Sequence, residues 1–318
     1  MKDNRSILEA TIGDGRPLLL FTGLSLVLSG AFALFLSVTG QFLPHDAQYL
    51  GLSASELCRF TGCRIVAFMI HDRVAFGGTL IAIGSLYMWL AEFPLRQGQA
   101  WAWWTFLLSG GAGFASFLAY LGYGYLDTWH GIATLFLLPC FVIGLRKSYA
   151  GLTAPKGIAA LLSPSVKVSW RSAAGLGRGS LLLTAIGLVG AGLTILLVGV
   201  TIVFVPQDLV FMRLQVEDFN HINPRLIPLI AHDRAGFGGG LCASGIAIFF
   251  SIWCGTPSKS LWQILCLAGG IGFGCAIGTH FLIGYTDFIH LLPAYLGGVI
   301  FSSGLLLSYQ PMMAGLRK

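Results

Sequence analysis

Ile70-His71-Asp72-Arg73-Val74-Ala75-Phe76-Gly77-Gly78 returns 161 residues later as Ala231-His232-Asp233-Arg234-Ala235-Gly236-Phe237-Gly238-Gly239. Each copy lies in an apolar run long enough to span a bilayer, which takes about 20 residues of helix. Ionisable residues inside such runs are costly and usually mark function. The repeat extends outward on both sides. Upstream, Phe42-Leu43-Pro44-His45-Asp46 returns as Phe204-Val205-Pro206-Gln207-Asp208, while Glu56 and Arg64 return as Glu217 and Arg225. Downstream, Gly110-Gly111-Ala112-Gly113-Phe114 returns as Gly269-Gly270-Ile271-Gly272-Phe273, and Tyr125, Asp127 and His130 return as Tyr285, Asp287 and His290. Four blocks in one order at a nearly constant offset point to tandem duplication.

Composition sets the class. Of 318 residues, 55% are hydrophobic and only 10% charged, with a mean hydropathy of +0.79. Soluble domains carry about 25% charged residues, so a soluble enzyme, a disordered chain and a coiled coil are excluded. The apolar runs are continuous rather than alternating, which argues against a transmembrane barrel. The expected fold is an all-α integral membrane protein of about eight transmembrane helices. Spans are predicted near 17–42, 65–92, 101–124 and 128–145, then 180–206, 226–253, 261–284 and 288–308. The expected divisions are residues 1–145 and 180–318, each a four-helix bundle, joined by a basic linker at 146–179 that holds Pro155 and Pro164. An even number of spans per repeat makes both halves enter from the same side, as parallel repeats about the membrane normal.

The net charge of +6 does not imply a nucleic-acid partner. Its basic residues cluster at Lys2, Arg5 and Arg16, at Arg146, Lys147, Lys156, Lys167, Arg171 and Arg178, and at Arg317 and Lys318. That is the positive-inside pattern. It places both termini and the linker in the cytoplasm and the chain in a bacterial cytoplasmic (inner) membrane. The polar N-terminus lacks a cleavable-signal pattern, so the first apolar run is expected to stay as a span. Loops 43–64 and 207–225 then lie outside, with Asp46, Glu56, Asp208, Glu217 and Asp218. Trp101, Trp103 and Trp104 suit a cytoplasmic aromatic belt. Cys140, Cys242, Cys254, Cys266 and Cys275 sit in apolar runs and read as inert thiols. Cys58 and Cys63 lie in an outer loop, where a disulfide could form. Their second-half counterparts are Phe219 and Pro224.

The chemistry concentrates in His71-Asp72-Arg73 and Asp127/His130, and in their copies His232-Asp233-Arg234 and Asp287/His290. Both clusters are expected at shallow depth on the outer side. Small residues follow each histidine at helical spacing: Ala75, Gly78 and Ala82; Gly236, Gly239 and Ala243; Ala294 and Gly297. Such a stripe leaves room for a flat ligand or lets a helix approach closely. Three readings compete. In a bis-histidine haem site per half, His71 faces His130 and His232 faces His290, with Arg73 or Arg234 pairing a propionate. In a metal site, two histidines and Asp72 or Asp127 bind zinc or iron. In a packing network without a cofactor, Arg73 pairs with Asp127 and Asp72 with His130. His280 has no counterpart near Tyr120 and reads as a packing residue, though it lies two turns from Asp287. His45 and His221 read as solvated loop residues. The glycine-rich runs at 110–113 and 269–272 match phosphate loops in letters only and read as helix-packing surfaces.

This layout resembles that of the heme A synthase family. The resemblance implies eight spans in two parallel four-helix halves, with histidines on the second helix (His71, His232) and the fourth (His130, His290) of each half. It also implies a cysteine pair in the first outer loop, here Cys58 and Cys63. Two family features differ. Phe68 stands where a glutamate shortly precedes the first histidine, and Asp72 separates His71 from Arg73. The resulting expectation is a membrane redox protein holding haem or a related planar cofactor near the outer face. It would act on haem or a quinone, and its partners would be the bilayer, a redox partner, a larger membrane complex or a second copy. A transporter-like or purely structural role is the alternative.

Overall fold

The computed structural model describes residues 6–118, 125 and 128–314, and 82% of these are helical, with no strand among them. The long helices are α2 (Arg16–Thr39), α5 (Arg64–Glu92), α6 (Ala100–Leu118), α7 (Thr128–Ser148), α8 (Ala173–Val200), α11 (Leu226–Cys254), α12 (Lys259–Ile283) and α13 (Phe288–Ala314). Short helices occupy the N-terminus (α1, Ile7–Ile12) and the two long loops (α3, Pro44–Leu50; α4, Ala54–Thr61; α9, Pro206–Met212; α10, Val216–Ile222). Seven of the long helices are apolar and long enough to cross a membrane, so this is a helical membrane protein. Large apolar side chains point outward along them, including Phe32 and Phe35 on α2, Leu135 and Phe136 on α7, and Leu296 and Leu306 on α13. Such a surface suits lipid, not water.

Two helices are central. Within their apolar stretches α5 is 78% and α11 61% buried, against 22–28% for the other spans. They run parallel, because their contacts advance together: Asp72 meets Arg234, Arg73 meets Asp233, and Gly240 approaches Phe76 and Thr79. Around the molecule, neighbours follow the order α2, α5, α12, α13, α8, α11, α6, α7 and back to α2. The order repeats after four steps if α2 is matched with α8, α5 with α11, α6 with α12 and α7 with α13. The third long helices therefore cross over. α12 packs along α5 and α6 along α11, and the division into two self-contained bundles at 145/180 is not how the helices pack.

Close approach explains the crossover. A Cβ on Gly30 would lie 2.4 Å from the Gly77 carbonyl, and one on Gly192 would lie 2.6 Å from the Gly238 carbonyl, so α2 and α8 sit backbone-to-backbone on α5 and α11. The opposite faces of the central helices take the crossed helices: a Cβ on Gly78 would meet Cys275, and one on Gly239 would meet Ser116. In the small-residue stripes below His71 and His232, Gly78 and Gly239 are thus the points where the crossed helices pack closely.

The linker is docked rather than a tether. Thr153 N–H donates to the Gly98 carbonyl (2.9 Å) and Ser165 N–H to the Trp253 carbonyl (3.0 Å). Arg178, expected in the loop, lies inside α8. Its guanidinium donates to the carbonyls of Val166 (2.6 Å) and Trp253 (2.7 Å). Trp104 donates its indole N–H to the Lys156 carbonyl and Trp103 packs edge-on against Tyr149, which ties the linker down, while Trp103 also donates to the Leu145 carbonyl in α7 and Trp101 is buried.

Candidate metal and ion-pair centre

A polar layer crosses the long helices toward one end of each. On α5 it occupies 71–73, between an apolar cluster holding Ile65–Met69 and another holding Ala82–Leu90; on α11 it occupies 232–234 in the same setting. His71, Asp72, Arg73, His232, Asp233 and Arg234 are all at most 9% exposed.

The loops complete the layer. Asp46 and Asp208, expected outside, are 1% and 0% exposed. Each sits in the first turn of a short helix begun by a proline, Pro44 or Pro206, where a carboxylate is favoured by free N–H groups. Arg73 binds Asp46 closely and lies 3.4 Å from Asp233. Arg234 lies 2.8 Å from Asp208 and 3.4 Å from Asp72, and donates to the Val203 carbonyl at 2.6 Å. Asp208 also accepts from Val205 N–H (2.8 Å) and the Tyr285 hydroxyl (2.9 Å), and Asp46 accepts from the Tyr125 hydroxyl (2.5 Å). Burial, then the Asp208 charge, raises the Tyr285 phenol above its ordinary range, so it stays a donor. The repeated Pro-x-Asp was the available sequence signal for Asp46 and Asp208. It was missed because loop carboxylates outside a membrane are ordinarily solvated.

Among the described residues, every carboxylate–guanidinium pair between Asp72 or Asp233 and an arginine joins one half of the sequence to the other. Arg73 pairs with Asp46 and Asp233, and Asp127, its expected partner, lies outside the described residues. Each arginine thus bonds two protein carboxylates, and Arg234 a carbonyl as well. Asp287 is not in the layer. It is exposed and caps α13, accepting from His290 N–H at 2.7 Å.

The histidines pair across the halves as well, so the expected within-half pairs do not form. His130 Nδ1 lies 3.1 Å from His232 Nε2, and His232 Nδ1 lies 3.0 Å from Asp233 Oδ1. His71 meets His280 and His290, with one ligating nitrogen from each within 4.8 Å of the other two. Ring centroids are 4.2 Å apart for His71–His280, 5.1 Å for His280–His290 and 6.2 Å for His71–His290. His280 was read as a packing residue because its partners come from α5, a neighbour that only the crossover supplies. The turn after it has a left-handed Gly284 (φ 74°), which returns the chain so that Tyr285 stacks on His290 at 4.5 Å. His45 is mostly buried, 3.3 Å from Asp46, against expectation, while His221 is exposed as expected. Cys58 and Cys63 form a disulfide at the turn between α4 and α5.

Comparison with protein-family models, with curated proteins and with solved structures gives no match.

Proposed function

We propose that this is an integral membrane protein that holds a metal-centred cofactor at buried histidines between its two halves. We read the eight long helices as eight spans in two duplicated, parallel halves, with both termini on the cytoplasmic side of a bacterial inner membrane and the polar layer toward the outer face. The matched helix order and the basic residues of the linker support that topology.

The observation that carries the cofactor reading is the convergence of His71, His280 and His290, which come from both halves and which no ion pair requires. A bare ion fits this convergence better than haem. Two axial imidazoles on one haem iron hold their ligating nitrogens on the order of 4 Å apart with the macrocycle between them. Here His130 Nδ1 and His232 Nε2 are in direct contact at 3.1 Å. The Cys58–Cys63 disulfide supports a heme A synthase-like layout, whereas the closed ring contacts count against haem chemistry. A redox role requires iron or copper at this site, and zinc would make the centre hydrolytic or structural.

The Arg73 and Arg234 networks favour a second, structural role for the rest of the layer, because each guanidinium is satisfied by protein groups alone. The test is an absorption spectrum with metal analysis of the protein purified from its own membrane. We expect a transition metal near one per chain and no Soret band. A Soret band would restore the haem reading, and a metal-free protein would leave only the structural one.

A further inference from the structure

We propose that His71, His280 and His290 form a mononuclear site for a divalent first-row transition ion, present in one half of the polar layer only. This rests on the cofactor reading above and assigns its ligands, its coordination and its asymmetry.

The hydrogen-bond partners set the ring tautomers. His280 Nδ1 lies 2.6 Å from the Ala276 carbonyl, which can only accept, so Nδ1 carries the proton and Nε2 the lone pair. That Nε2 has no protein partner, in a residue 6% exposed. His290 Nδ1 lies 3.2 Å from the Tyr285 oxygen. The phenol spends its proton on Asp208, so it accepts from His290 and leaves His290 Nε2 free to ligate. His71 Nδ1 lies 3.1 Å from Asp72 Oδ1 but makes no hydrogen bond there, so His71 brings a second buried, unpartnered ring nitrogen to the trio. A carbonyl behind His280 and a phenol behind His290 are the usual kind of support for a metal-ligating histidine. Leaving a polar atom such as His280 Nε2 buried and unpaired is costly, and a metal bond would remove that cost.

Charge points the same way. Among the described residues, Arg73 and Arg234 face four carboxylates, Asp46, Asp72, Asp208 and Asp233, which leaves two formal negative charges in the layer. A divalent cation held by three neutral imidazoles cancels them, and buried charge is costly without such compensation. Nitrogens bound at about 2.0–2.1 Å to a tetrahedral ion lie roughly 3.3 Å apart. From a present spread of at most 4.8 Å, ring movements of roughly 1 Å close the site. Three imidazoles without thiolate suit zinc, iron, copper or nickel, and they leave a fourth position for water or a substrate.

The other cluster lacks these features. His232 Nε2 is engaged by His130, and among the described residues no second trio of metal-ligating side chains converges. Because α5 supplies one ligand and α12 and α13 the other two, the ion would also clamp the two halves together.

The experiment uses the full chain in detergent, stripped with a chelator and reloaded with Co2+ or Zn2+ alone. We expect about one ion per chain and a visible Co2+ spectrum of tetrahedral intensity. His280→Ala and His71→Ala lose stoichiometric binding, while His221→Ala, in the exposed loop, keeps it. Tyr285→Phe weakens binding about 10–100-fold. His280→Cys is the safeguard if the alanine variants fail to fold: it gains a near-ultraviolet sulfur-to-cobalt charge-transfer band that a merely structural residue would not produce. Binding that persists in His280→Ala but vanishes in His232→Ala overturns this site and leaves the cofactor reading standing. A His280→Cys variant that binds Co2+ without the new band also overturns the site. Absence of metal in every form, native and reloaded, sinks both.

Discussion

Arg234 illustrates what a single side chain does in this layer. It joins Asp208 from a loop helix, Asp72 from the opposite half and the Val203 carbonyl, and its guanidinium lies over the Phe68 ring. The planar fork is what lets one group serve three acceptors. Arg234→Ala strands two buried carboxylates, and breaking a buried pair from one side costs about 3–5 kcal/mol. Arg234→Lys recovers part of the charge but not the geometry. We expect the order wild type, Lys, Ala in denaturant midpoint of the solubilised protein. A lysine variant as stable as wild type would show that the fork is dispensable. At this scale the sequence was partly readable. His-Asp-Arg stood out as costly residues in an apolar run, and His71, His130, His232 and His290 all reach the layer. The identity of their partners was not readable, because a side chain's neighbours across space depend on which helix comes to lie beside it.

Among the helices, glycine decides the contacts. Gly30 and Gly192 each face a backbone carbonyl at a distance no Cβ tolerates, and neither carbonyl can move without shifting α5 or α11. Gly111 and Gly270 belong to the glycine-rich runs of α6 and α12 but have open space where a Cβ would go. Gly192→Ala and Gly30→Ala are therefore expected to destabilise by about 1–3 kcal/mol through overpacking. Gly111→Ala and Gly270→Ala are expected to be neutral, or to gain up to about 1 kcal/mol from better helix propensity. Thermal unfolding in detergent separates the pairs, and equal losses in both would refute the close-approach account. Helix positions themselves were legible, since spans read at 65–92 and 226–253 are helices at Arg64–Glu92 and Leu226–Cys254. The short loop helices were not, because seven residues carry too little periodicity to stand out.

The whole molecule is an interlocked ring rather than two beads on a linker. Its two long loops also cross over: Arg64 donates to the Phe211 carbonyl, Arg225 to that of Tyr49, and Asn223 to that of Leu50. With α6 on α11 and α12 on α5, neither half can close its own core. If the chain is broken in the linker near Pro164 and the two pieces are co-expressed, they should co-purify as a 1:1 pair. Either piece alone should aggregate. Two pieces that each purify as folded, monodisperse proteins would contradict the interlock.

The amino-acid sequence by itself determined the solvent, the helix positions and the internal likeness of the halves, because hydropathy, run length and repeated letters are properties of the chain alone. Which histidine meets which, where Asp46 and Asp208 go, and the importance of His280 were decided only in the folded molecule. The reason is that α6 and α12 exchange places between the halves. Contacts made by crossing are set by the complementarity of whole helix faces, and no local pattern in the chain records them.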